Sequence, residues 1–352
     1  MVSKSTNVTK GDEKEAERIA EEYERQLKED DFLRMQAHVP DNITLEAFFD
    51  DIFLPHHDVI RQNKHGTLIY YQHAGIQMIE VLGKRKLRTI TRSDVLQFRE
   101  YLLHSYIMPS GKKLSNNTVN KYFKVLAQVL QFAMNEQYIS VNPAKGIELI
   151  KVPQKEVKAL SGEEITIFMR EIQKEPLYFR AFCILCIQTG CRRGEIIGLQ
   201  WQDINWNNKT ISIKRTASES KGGVRVDEPK TLKSARIIPM TPVVKNVLME
   251  LSDRYPHSAD EYIFHSLEDV HKPHSPSHFT KLLKQFCEKI NISVITPHTL
   301  RHTFGTILYR NDVPIKTIQD LMGHTTPAIT MQYYIANDTD KNTEEMNRVF
   351  GE

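Results

Sequence analysis

A break near residue 150 governs how this chain can fold. From Thr44 to about Gly146 the apolar residues recur at helical spacing, and Asn142-Pro143-Ala144-Lys145-Gly146 ends that pattern. Lys151 to Lys158 holds Pro153 and has no periodicity, so it reads as a linker. Ser161-Gly162-Glu163-Glu164 follows as a capping box, in which serine and glutamate satisfy the first free amides of a new helix. At about 150 residues per domain, 352 residues leave room for two cores. The chain therefore divides into a charged helical segment at 1–43, a helical domain at 44–150, a linker at 151–159 and a larger domain at 160–352.

In the first domain, Leu45, Phe48, Phe49 and Ile52 open one helix, Leu68 to Leu82 forms a second, and a third runs from Thr91 or Ser93 to about Tyr106. Ser115 caps a fourth that ends near Asn135. Its Val119, Tyr122, Leu126, Val129, Leu130 and Ala133 share a core-facing side, while Asn116, Asn120, Lys121, Lys124 and Gln128 line the other. Four such helices make a compact bundle. Amides and lysines are the side chains that read base edges and hold phosphates, so Asn116, Asn120, Lys121 and Lys124 are candidate DNA contacts; a solvated surface explains the same pattern.

The second domain is helical through Thr189. Lys209 to Arg215 then alternates like a strand, Thr216 to Gly223 reads as a loop, and Val224–Val226 and Ala235–Pro239 read as short strands. The predicted fold is mainly α, with an α+β second domain that carries one small antiparallel sheet at its edge.

Composition narrows the function. No run approaches the roughly 18 apolar residues of a membrane span, and the Met1-Val2-Ser3-Lys4 start lacks a signal-peptide core, so a soluble, cytoplasmic protein is expected. Cys183 and Cys186 form a CxxC inside the apolar run Ala181–Ile187, which fits helix packing better than metal binding. The formal charge of +3 divides unevenly: 1–43 carries −4 and 44–157 carries +5, a balance that suits a polyanionic partner.

Four stretches carry side chains suited to phosphate chemistry. Thr296-Pro297-His298-Thr299-Leu300-Arg301 starts a helix, with Thr296 as cap and Pro297 in its first turn. His298 and Arg301 stand three apart on one face, beside helix-start amides that attract anions, and Leu300, Phe304, Ile307 and Leu308 cover the other face. A buried histidine and a surface arginine would look the same in isolation. In Thr189-Gly190-Cys191-Arg192-Arg193-Gly194-Glu195, glycine permits a tight turn, Arg192 follows at a helix start, and Glu195 can hold its guanidinium. Lys230 lies between two short strands, and Leu321-Met322-Gly323-His324 precedes the adjacent Tyr333 and Tyr334.

The order of these pieces, T-G-x-R-x-x-E, a hairpin lysine, H-x-x-R-H, L-x-G-H and a tyrosine about ten residues later, resembles the tyrosine recombinase, or phage integrase, family. The bundle before them looks like that family's core-binding domain. The resemblance implies that Arg192, Lys230, His298, Arg301, His324 and Tyr334 are catalytic, with Glu195 in support and no metal or other cofactor. Arg192 and Arg301 would clamp the phosphate oxygens as planar, permanently charged forks. His298 and His324 would add hydrogen bonds, His298 would handle the tyrosine proton, and Lys230 would protonate the departing 5′ oxygen. A tyrosine would then hold DNA as a 3′-phosphotyrosine, so rejoining needs no ATP. Tyr333 and Tyr334 both fit the spacing; Thr330-Met331-Gln332-Tyr333-Tyr334 matches the ten-residue form and favours Tyr334.

A site-specific integrase of a phage or conjugative transposon is the expectation. It would act on double-stranded attachment or core sites, as a homotetramer, with an accessory protein for excision. A Xer-like dimer-resolving recombinase would use the same residues, and a non-catalytic DNA-binding relative would lack the intact set. His298, His302 and His324 raise a metallohydrolase reading, against which stand the missing acidic ligands and a cation-repelling Arg301. The first 11 residues are too few for the small sheet that precedes the charged helix in larger integrases, so the charged segment at 1–43, with its helix at 12–31, reads either as a remnant of an arm-binding domain or as a solvated terminus, and arm binding is not expected of it. Glu344 to Phe350 offers Met346, Val349 and Phe350 for docking on a neighbour or on its own domain.

Overall fold

The computed structural model describes residues 42–60, 65–153, 159–220, 222–227, 235–324, 347, 350 and 351, which form two compact units, Met1–Gln154 and Lys155–Glu352. The charged helix expected at 12–31, residues 154–158 of the linker, Lys230, Tyr333, Tyr334, Glu344, Met346 and Val349 lie outside the described residues.

The first unit is a helical bundle whose starts are set by local caps. Thr44 Oγ1 accepts from Ala47 N at 3.2 Å to open α1 (Leu45–Phe48), which widens into a π turn at Phe49–Phe53. After α2 (His65–Leu82), Thr91 and Asp94 close a capping box on α3 (Arg92–Glu100). Ser115 caps α4 (Asn116–Asn135). Phe48, Phe53, Phe98, Leu102, Val119 and Leu126 are wholly buried in its core.

The exit of this unit is stapled along the bundle. Arg92 donates to the carbonyls of Lys145 and Gly146 at 2.9 and 3.3 Å, and Arg99 donates to that of Glu148 at 3.1 Å. Asn120 completes the row, and here the structure corrects the expectation of a DNA contact. Its amide donates to Ile150 O at 2.8 Å and its oxygen accepts from Ile150 N at 3.0 Å, in a buried setting. One step toward the core on the helical wheel is enough to turn a polar-face residue into a backbone clamp. Asn116, Lys121 and Lys124 are exposed on α4.

The second unit is built around α6 (Leu177–Thr189), which follows α5 (Gly162–Glu171) and is apolar almost all round because neighbours cover it. It packs against α8 (Pro242–Arg254) and α10 (Pro297–Arg310). Cys183 and Cys186 are free, wholly buried thiols of α6, and burial pushes both well above the usual thiol range. Short α7 (Arg193–Ile197), α9 (Pro276–Lys289) and α11 (Ile315–Met322) complete the helices of this unit among the described residues.

Two sheets stand where one was expected. β1 (Ile204–Asn205), β2 (Thr210–Ile213) and β5 (Arg236–Pro239) form an antiparallel sheet in the order β1-β2-β5, with Ile211 opposite Ile204 and Ile238. β3 (Thr216–Ser220) and β4 (Gly223–Asp227) form a separate antiparallel hairpin. Thr216–Ser220, expected as part of a loop, is thus a strand. Its side chains are polar because only Ala217 turns fully inward, so backbone pairing with β4 defines the strand and hydrophobic alternation does not. Ala217 O lies where a Cβ on Gly194 would sit, at 2.4 Å, so that glycine lets the hairpin rest on α7.

No helix among the described residues is long and apolar enough to cross a membrane.

Candidate active site

Thr296 and Thr299 close a capping box at the start of α10, with Pro297 in its first turn. Arg301 turns inward and is only 2% exposed, whereas His298 keeps part of its ring at the surface and the rest against the pocket. A surface arginine is therefore the wrong picture for this helix. Arg301 donates to Gly190 O at 2.7 Å and to Met322 O at 2.6 Å, so it joins the turn after α6 to the end of α11.

That turn is shaped by Gly190, whose φ of 63° is left-handed and whose missing side chain leaves room for Phe304 of α10. A Cβ there would come within 2.3 Å of the Phe304 ring. Arg192 follows as the N-cap of α7, 47% exposed at its side chain. It donates to Glu195 Oε1 at 2.7 Å and to Gly323 O at 2.9 Å, and its own N–H donates to Glu195 Oε2 at 2.9 Å. Glu195 thus holds the guanidinium as its spacing suggested.

Arg236 is the residue that sequence reasoning missed. It donates through both terminal nitrogens to Glu195, at 3.1 and 2.7 Å, and through Nε to Leu321 O at 2.9 Å. One of those nitrogens also lies 3.6 Å from Cys191 Sγ. A signal was present: on β5 its position is in phase with buried Ile238 and out of phase with exposed Ile237, so a charge points inward.

The electrostatics follow from this crowding. Burial by itself would raise the Glu195 carboxyl, but the Arg236 fork and charge, helped by Arg192, outweigh it and hold the group at about 2. Burial and the positive charge of Arg192 bring Arg301 down to about 10, still fully charged at neutral pH. His298 is lowered by burial and then by Arg301 and Arg192. His324 is lowered to about 4 by burial and then by Arg301, Arg192 and Arg236, with His298 adding to the effect. Both imidazoles are therefore neutral at pH 7, each able to donate at one nitrogen and accept at the other. His324 is seated by Gln319, which donates its side-chain amide to His324 O at 3.1 Å and accepts from His324 N at 3.1 Å. His302 faces Thr306 Oγ1 at 3.1 Å on the same helix.

Arg192, Glu195, His298, Arg301 and His324, drawn from three separate stretches, thus share one electrostatic neighbourhood. Three guanidinium groups there face one carboxylate, an excess of positive charge fit to receive a phosphate. Lys230 and Tyr334 lie outside the described residues. The described residues on either side of Lys230 are β4, which ends at Asp227, and β5, which begins at Arg236.

A helical unit, followed by a mixed unit that gathers these arginines and histidines, defines a tyrosine-type site-specific recombinase. The chain belongs to the phage integrase family, which matches residues 158–340, and the phage integrase SAM-like domain matches residues 49–150. It is 27% identical over 264 residues to the ICEBs1 integrase of Bacillus subtilis (strain 168), covering 71% of this chain and 68% of that protein. It is also 27% identical over 274 residues to the integrase of Mycobacterium phage L5, covering 77% of this chain and 70% of that one. Among solved structures, the Tn1549 transposon integrase in complex with a circular intermediate DNA shares the fold with a TM-score of 0.72 at 22% identity, over 87% of this chain and 99% of that one. A lambda integrase dimer bound to a COC' core site shares it with a TM-score of 0.61 at 19% identity, over 84% and 97% of the two chains.

Proposed function

We propose that this recombinase integrates and excises a mobile element by cutting each strand of a core site with Tyr334 and rejoining it to a new partner. One observation carries the assignment of the chemistry to this pocket: among the described residues, Arg192 and Arg236 both bond to a single carboxylate, Glu195, while Arg301 stands within reach of its charge with its own bonds on backbone carbonyls, and the three leave positive charge for a phosphodiester. Buried charge of that kind is costly unless an anion shares it.

In this reading the scissile phosphate lies against Arg192 and Arg301. Arg301 spends one N–H of each terminal nitrogen on a carbonyl and keeps a second on each for a phosphate oxygen. Neutral His324 donates a hydrogen bond to a non-bridging oxygen. Neutral His298 accepts the phenol proton as the Tyr334 oxygen forms its bond to phosphorus. The bond from phosphorus to the 5′ oxygen breaks as Lys230 gives that oxygen a proton. The 3′-phosphotyrosine keeps the bond energy, and attack by a 5′ hydroxyl reverses the steps on another strand.

The relatives named as integrases support a mobile-element role, and the lambda integrase tetramer bound to a Holliday junction supports a tetramer on paired duplexes. Exposed Asn116, Lys121 and Lys124 on α4 are proposed to contact DNA in the first unit.

The test uses a nicked duplex bearing the core site mapped by footprinting on DNA from the ends of the encoding element. Wild type should accumulate a covalent adduct, Tyr334→Phe should form none, and Tyr333→Phe should keep it. An adduct retained in Tyr334→Phe and lost in Tyr333→Phe would reassign the nucleophile, and no adduct with wild type would refute the mechanism.

A further inference from the structure

The last turn of α11 presents three successive carbonyls, and each accepts a hydrogen bond from a different arginine of the pocket. Leu321 O takes Arg236 Nε at 2.9 Å, Met322 O takes Arg301 at 2.6 Å, and Gly323 O takes Arg192 at 2.9 Å. These are orphan carbonyls of a helix C-terminus, where the helix dipole favours cations. Gly323 permits the arrangement. Its φ of 63° ends the helix, and a Cβ at this position would lie 2.8 Å from an Arg236 terminal nitrogen.

Two of the three arginines, 192 and 301, are assigned to the phosphate. Arg236 differs from both in its partners: its two terminal nitrogens are spent on the two oxygens of Glu195 and its Nε on Leu321 O. Glu195 in turn holds the N–H and guanidinium of Arg192. Arg236 therefore connects β5, α7 and the end of α11 through one planar group.

We propose that Arg236 is a positioning residue for strand cleavage: by fixing Glu195 and the α11 carbonyls together, it sets the Arg192 guanidinium at the angle required to clamp a non-bridging phosphate oxygen. The proposal rests on the assignment of phosphate chemistry to this pocket. Lysine cannot replace Arg236, since an ammonium lacks the fork that reaches a carboxylate and a carbonyl in fixed directions.

The experiment measures single-turnover adduct formation by the full chain on two nicked duplexes. One carries the natural scissile phosphodiester, and the other a methylphosphonate, in which a methyl group replaces one charged oxygen. Misplacement of a clamp by about 1 Å costs roughly 100-fold in rate. Arg236→Met and Arg236→Lys should thus cleave the phosphodiester about 100-fold more slowly than wild type, with DNA affinity within about threefold. On the methylphosphonate, where less oxyanion charge needs clamping, the deficit should shrink to about tenfold or less. Equal deficits on both substrates, no deficit at all, or two variants that both fail to fold in thermal melts would each overturn the positioning role. Wild type and Tyr334→Phe run beside them, so a wild type without adduct marks failure of the mechanism and leaves a different signature from failure of Arg236.

Discussion

Replacing Glu195 by glutamine should weaken the second unit by an amount its surroundings define. Glu195 accepts four hydrogen bonds, two from Arg192 and two from Arg236, at 2.7 to 3.1 Å. A carboxyl held at about 2, against its usual 4.5, contributes about 3 kcal/mol to folding at neutral pH. Breaking a buried ion pair by removing one partner costs roughly 3–5 kcal/mol, which agrees. The loss falls on Arg236, whose side chain is 8% exposed; Arg192, at 47%, can turn to water.

Because the folded value lies below the unfolded one, the stabilisation is complete above about pH 4.5 and disappears as pH falls toward 2. Near pH 3 the deficit of Glu195→Gln should therefore shrink to about 1 kcal/mol. Urea titration of the full chain reads this directly, since both tryptophans, Trp201 and Trp206, belong to the second unit and their fluorescence reports on it alone. A loss under about 1 kcal/mol at pH 7, or a deficit as large at pH 3 as at pH 7, would refute the buried ion pair as the source of stability.

Two other outcomes follow from the same geometry. Asn120→Ala should lower the melting stability of the first unit by roughly 1–3 kcal/mol, because it leaves the Ile150 N–H and C=O unmet, while DNA affinity stays within about threefold; weaker DNA binding by an equally stable variant would restore Asn120 as a DNA contact. Binding of core-site DNA should take up protons on the acid side of pH 6.5, since burial lowers His324 and His298 first but a phosphate offsets the arginine charges that lower them further, and affinity should rise as pH falls there. Calorimetry in buffers of different ionisation enthalpy measures the uptake; none near pH 5.5, or the same uptake in His324→Gln, would contradict it. In the DNA-free protein the sign is opposite: these lowered histidines stabilise the fold fully above about pH 6.5, and that contribution is lost as pH falls.

What the sequence determined by itself was everything encoded over a few positions. Thr91 with Asp94, Ser161 with Glu164 and Thr296 with Thr299 announce their helices because each capping bond spans three residues. Arg192 and Glu195 were likewise legible as partners, and the ordered motifs pointed to strand-transfer chemistry. Tertiary structure alone decided which polar groups meet across the chain. Asn120 finds Ile150 at a separation of 30 residues, and Arg236 finds Glu195 at 41 and Leu321 at 85. Periodicity tells which face of a helix or strand turns inward, but not what waits there. Hence Arg301 became a buried crosslink, Thr216–Ser220 became a strand, and Arg236, whose inward phase on its strand was a local signal, found Glu195 only in the fold.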